Sequence, residues 1–188
     1  MSSVGPDAEI DGVSWGRIRA SSDVRGSFRE LWRASVFDLD QRSAGTTDPR
    51  FVQVNLSTSS AGALRGLHYH RRQLDHWVIA AGRVFVALVD VRPAMTGGRP
   101  VVRTRDMTVD DTVTIPVGVA HGFLARERTQ LIYLVTNEYD GTDELGFAWN
   151  DPIAAVPWPR ADTADGQPML SERDAQSPTL ADLLRQLR

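Results

Sequence analysis

Between about residues 14 and 150 the pattern of apolar and polar residues reads as short strands separated by turn-forming residues. FVQVNLS (51–57) alternates as a half-buried strand does. HWVIAAGRVFVALVDVR (76–92) reads as two β-rich runs meeting at Ala81-Gly82, which predicts a hairpin. DTVTIPVG, HGFLAR, TQLIYLVTNEY and GFAWN follow at the regular spacing of a sandwich or barrel. Beyond residue 150 the pattern changes: 151–176 is rich in Pro, Asp and Ala and predicts an irregular arm wrapped over the barrel. Ser177-Pro178 then offers an N-cap followed by proline at the first helical position, with Leu180, Leu183, Leu184 and Leu187 on one face. The expected architecture is an all-β double-sheet jelly roll with a short C-terminal helix. One domain spans 1–188, with its core at about 15–150 and the arm and helix at 151–188.

Composition narrows the chemistry. A net charge of −3 gives no overall attraction to nucleic acid or to an anionic membrane. The first residues carry neither a basic nor an apolar leader segment and no window approaches a membrane span, so a cytoplasmic location is expected. Without cysteine there are no disulfides, thiolate nucleophiles or zinc-thiolate sites. All 21 basic residues are arginine, so no step can use a lysine.

Three of the four histidines fall within LRGLHYHRRQLDHWVIAAG (64–82), and this stretch supports two chemistries. In one, His68 is a general base oriented by a carboxylate such as Asp174. In the other, His68-x-His70, four residues, Asp75, six residues and Gly82 follow the metal-ligand spacing of cupin barrels, with Asp in place of Glu, and Pro116 to His121 supplies part of the second cupin motif. His68, His70, Asp75 and His121 would then hold one divalent transition metal. Strand alternation sends His68 and His70 to the same face.

DVRGSFRE (23–30), QVNLSTSSAGALRGLHY (53–69), VDVR (89–92), IPVGVAHGF (115–123), LIYLVTNEYD (131–140), WNDP (149–152) and LSERDAQSP (170–178) together resemble the dTDP-4-dehydrorhamnose 3,5-epimerases, cupin-type enzymes of nucleotide-sugar metabolism. The resemblance implies His68 as base, Asp174 as its dyad partner and Tyr133 as the acid on the opposite face of the sugar. It implies Arg65 and His121 at the sugar and diphosphate, Gln53 and Asn55 as the polar pair of the QVN strand, and Tyr139 against the base. It further implies Arg25, Phe28 and Glu30 as nucleotide contacts supplied across a homodimer, a nucleotide-diphosphate sugar as ligand, and no cofactor.

The chain departs from that pattern at one telling place. Counting back from Gly82 puts Gln73 on the family glutamine and Asp75 on the family lysine. A carboxylate there repels the enolate that a lysine would hold. Arg71, Arg72 or His76 could supply the charge instead, a metal could neutralise Asp75, or Asp75 could point away. The readings therefore stand as an epimerase, a metal-dependent cupin enzyme, or a sugar-nucleotide-binding relative without catalysis.

Overall fold

The structure, a computed structural model, describes residues 5–7, 9–33 and 50–188. Residues 1–4, on which part of the expectation about a leader rests, lie outside them. Thirteen strands and three short helices are described: β1 (Gly5–Pro6), β2 (Ser14–Arg17), β3 (Ala20–Asp23), β4 (Gly26–Arg29), β5 (Gln53–Ser59), β6 (Leu64–Tyr69), β7 (Asp75–Ala81), β8 (Arg83–Asp90), α1 (Arg92–Met95), β9 (Val101–Thr108), β10 (Asp111–Ile115), β11 (Val119–Ala125), β12 (Thr129–Val135), β13 (Leu145–Gly146), α2 (Glu172–Ala175) and α3 (Leu180–Gln186). One antiparallel sheet runs β1-β2-β10-β7-β12-β5 and the other β13-β6-β11-β8-β9, with β3 and β4 forming a separate ribbon. This is the expected double-sheet jelly roll.

Alternation on the strands divides the apolar residues into layers. Trp77 and Ile79 of β7, Val113 and Ile115 of β10 and Leu131 of β12 meet Val84, Val86 and Leu88 of β8 and Phe123 of β11 in one buried cluster contributed by both sheets. Ala87 and Val89 of β8 point the other way and join Leu67, Tyr69, Phe147, Leu180 and Leu183 in a second cluster. The C-terminal arm thus covers the outer face of the five-stranded sheet. Leu180 and Leu183 are fully buried there, each contributing about 1.5–3 kcal/mol of apolar burial.

Two expectations are corrected. Strands β7 and β8 are not a hairpin: β7 pairs with β10 and β12, whereas β8 pairs with β11 and β9 in the opposite sheet. Gly82 alone separates them, fewer than the two residues of the shortest common hairpin loop, and its positive φ of 81° turns the chain from one sheet to the other. The final helix starts after Thr179, not Ser177. Thr179 accepts from the Asp182 amide while the Asp182 carboxylate accepts from the Thr179 amide, and this reciprocal cap sets the boundary. The leucine face is as expected, with Leu184 and Leu187 packed beside the buried pair.

Candidate active site

Arg65 and His68 line the same cavity although they lie three residues apart, which strict alternation on a strand forbids. A shift in the β6–β11 register between His121 and Phe123 resolves this. Gly66 lies at the shift with φ 109°, and a Cβ there would come within 2.5 Å of the His121 carbonyl oxygen. Beyond the shift His68 pairs directly opposite His121, and His70 follows on the same wall. The six-stranded sheet supplies Ser57 of β5, Asp75 and Trp77 of β7 and Tyr133 of β12 to the facing wall. The enclosed volume is about 290 Å³.

His68 Nε2 lies 2.8 Å from Asp174 Oδ1. A carboxylate only accepts, so Nε2 carries a hydrogen. Asp174 is buried in the first turn of α2, where its amide donates to Ser171 Oγ at 3.1 Å. Burial raises the carboxyl's pKa, but the hydrogen bond and charge of His68, with Ser171 and the Gly66 amide, outweigh it and hold the group below the ordinary value. A depressed folded value means that this carboxylate's stabilisation is complete above the unfolded value of about 3.9 and is lost as pH falls through the folded one. Asp174→Asn is therefore expected to be less stable than wild type at pH 7, with the gap narrowing in the acid limb. Urea unfolding at a series of pH values measures this, and a gap that stays constant down to strong acid would contradict it.

Tyr133 pairs with Asn55 on one side and Trp77 on the other. Burial, reinforced by Asp75 and Glu144 and opposed by Arg65, raises its pKa, so the phenol keeps its proton at neutral pH. His121 is pushed down to about 4, first by burial, and is neutral. Its Nδ1–H donates to the Val119 carbonyl at 3.2 Å, and its Nε2 faces Asp75 Oδ2 at 3.7 Å.

The profile of the dTDP-4-dehydrorhamnose 3,5-epimerase family matches residues 7–182. The chain belongs to this family. The dTDP-4-dehydrorhamnose 3,5-epimerase of Mycobacterium tuberculosis is 38% identical over 139 residues, which cover 70% of this chain and 66% of the relative, just under two thirds of its length. A Legionella pneumophila dTDP-6-deoxy-D-glucose-3,5-epimerase solved with dTDP-4-keto-L-rhamnose superposes with a TM-score of 0.78 at 31% identity, covering 94% of this chain and 92% of the other. A 3'-monoepimerase from Streptomyces bikiniensis solved with dTDP-quinovose gives a TM-score of 0.78 at 30% identity, covering 97% and 90%. This is a family of isomerases that work without a cofactor.

Seen as a member of the epimerase family, the chain brings some of the expected residues together and leaves others apart. Arg65, His68, His121, Tyr133 and Tyr139 share the cavity, with Asp174 behind His68. Gln53 and Asn55 line an adjoining recess with Tyr133 and Tyr139, and are joined by a 2.9 Å hydrogen bond from Gln53 Nε2 to Asn55 Oδ1. Arg25, Phe28 and Glu30 are not on the cavity: Arg25 pairs with Asp23, Glu30 with Arg33, and Phe28 on β4 is exposed.

Of the four residues grouped by the alternative metal reading, three come together and one turns away. His68 turns its Nε2 to Asp174, while His70, Asp75 and His121 converge. Asp75 does not point away, and the proposed substitutes for lysine are elsewhere: Arg71 donates to the Gln186 carbonyl, Arg72 to Asp140, and His76 bonds Thr114. The cations on the cavity are Arg65 and Arg173, the latter paired with Glu144. Ser57, Glu144, Arg173 and Trp77 were not anticipated. Ser57 Oγ is buried without a hydrogen-bond partner among the described residues, and its spacing of two from Asn55 on β5 was the available signal.

Proposed function

We propose that this chain, acting as one domain in the cytoplasm, epimerises a nucleotide-linked 4-keto-6-deoxy sugar, with dTDP as the carrier. The observation that supports this best is the placement of a carboxylate-oriented histidine and a protonated tyrosine on one small cavity. The ketone acidifies the hydrogens on its neighbouring carbons. His68 removes one, the electron pair moves into an enolate, and Tyr133 returns a proton on the other face of the same carbon, inverting it. The ligands of the two structural relatives support a dTDP sugar. The cavity has room for the sugar ring. Arg65 suits bidentate contact with the diphosphate. Asp75 opposes the enolate by roughly 1–4 kcal/mol if it lies about 4 Å away.

The test is proton exchange: dTDP-4-keto-6-deoxyglucose and the enzyme in deuterium oxide, followed by NMR. Deuterium entering at C3 or C5 is expected. Retention of both hydrogens would end this reading.

The nucleotide contacts Arg25, Phe28 and Glu30 complete the site if they come from a second subunit, with Tyr139 opposite Phe28. In support of a homodimer, β5 is an edge strand whose outward residues Val54 and Leu56 are more than half exposed, as is Val52 just ahead of it. Leu56→Glu is expected to weaken self-association roughly 100-fold or more, since the change enters a symmetric interface twice. Light scattering across a dilution series measures it, and a monomeric wild type or an unaffected variant would refute this surface.

A further inference from the structure

Asp75 and His121 face one another inside the protein without a hydrogen bond between them. His121 Nδ1 carries the hydrogen that the Val119 carbonyl accepts, so Nε2 is the ring nitrogen turned inward. That atom faces a carboxylate oxygen, Asp75 Oδ2, at 3.7 Å, with both residues buried. At 3.7 Å the two atoms are too far apart for a hydrogen bond, and a cation bound to both would join them. His70 repeats the arrangement: Nδ1–H donates to the Asp143 carbonyl at 2.7 Å, leaving the Nε2 lone pair on the same side. An imidazole that is fixed by Nδ1–H on a backbone carbonyl and turns Nε2 inward has the orientation and tautomer of a metal ligand.

Asp75 is held just as firmly. Trp77 Nε1 donates to Oδ2 at 3.1 Å and Gln73 Nε2 donates to Oδ1 at 2.8 Å. The same Gln73 nitrogen lies 3.3 Å from His70 Nε2, so the positive end of a neutral amide already bridges two of the three groups. We propose that His70 Nε2, Asp75 and His121 Nε2 form a site for one divalent first-row transition metal on the cavity wall. Their candidate ligand atoms all lie within 4.8 Å of one another. Metal bonds of about 2.0–2.2 Å put neighbouring ligands roughly 3–3.5 Å apart, so binding draws the widest pair in by about an ångström as the Gln73 amide yields its place. Two imidazoles and one carboxylate suit zinc, iron, cobalt or nickel, whereas magnesium and calcium select oxygen-only shells. Three protein ligands leave positions for an oxygen of whatever occupies the cavity.

The inference rests on these contacts and not on the epimerase reading, and it marks where this chain leaves its cofactor-free family: the position aligned with the family's cation becomes a ligand for one. The test uses full-length, chelator-stripped protein titrated with cobalt(II) and followed by visible absorption. One cobalt per chain is expected, displaced by zinc and not by excess magnesium. Asp75→Asn, which preserves size, and His70→Ala should each weaken cobalt binding by more than the roughly 10–100-fold cost of losing a supporting outer-shell group. His68→Asn should leave cobalt binding intact. Circular dichroism of the metal-free variants confirms that each has folded. Failure of wild type to take up cobalt, uptake unchanged in Asp75→Asn, or uptake lost in His68→Asn would each overturn the site. Deuterium exchange by metal-free protein reports on the proton-transfer pair separately, so the two readings fail independently.

Discussion

His68→Asn is expected to eliminate deuterium incorporation at both C3 and C5 of a dTDP-linked 4-keto-6-deoxy sugar. Asparagine keeps a side-chain N–H for Asp174 but has no ring nitrogen to take a proton. General-base catalysis contributes about 10²–10⁴-fold, and the carboxylate behind His68 adds to what a lone imidazole would supply. Nucleotide binding should survive, because His68 lies on the sugar cavity while the diphosphate is assigned to Arg65. The informative pair of measurements is therefore exchange by NMR and dTDP affinity by calorimetry on the same preparation. Lost exchange with retained affinity supports the base; exchange at the wild-type rate removes His68 from the chemistry.

Gly66→Ala is expected to cost about 2–6 kcal/mol of stability. A positive φ of 109° strains any side chain, at roughly 1–3 kcal/mol, and the new Cβ would sit 2.5 Å from the His121 carbonyl oxygen and 2.7 Å from Gly122 Cα, which adds an overpacking cost of similar size. Both obstacles are backbone, so no side-chain rotation relieves them. Gly97→Ala is the control: its φ is also positive at 90°, but nothing lies within 4 Å of the added carbon. Denaturant unfolding should show the Gly66 variant losing markedly more than the Gly97 variant. Equal losses would mean that the β6–β11 approach is softer than it looks.

These two positions also show why the sequence disclosed some of the site and concealed the rest. Alternation exposed the strands of both sheets and the shared face of His68 and His70, because period-two patterning is a local property. It could not expose the register shift at Gly66, which depends on what β11 presents opposite. It misjudged Gly82 for the same reason: two β-rich runs look alike whether they pair or part into separate sheets. Asp174 lies 106 residues from His68, so the sequence could offer it as an orienter and the family resemblance could pair the two, but their contact depends on the fold. The metal-ligand spacing grouped His68 with three residues that converge without it, since sequence does not say which partner a histidine nitrogen chooses. Arg25, Phe28 and Glu30 lie on or beside the β3–β4 ribbon, where their proposed role depends on a second chain that a single sequence does not describe.

The C-terminal arm that covers the five-stranded sheet also carries Asp174, and Leu180 and Leu183 seat it. Order of synthesis then matters. A nascent chain that has emerged as far as Tyr133 already holds nearly every wall of the cavity, yet its histidine has no carboxylate behind it. The carboxylate and the residues that dock it leave the ribosome after the strands that build the cavity. A chain cut between Tyr133 and Asp174 would therefore carry His68 without the carboxylate that hydrogen-bonds it, and would bare the outer face of the five-stranded sheet.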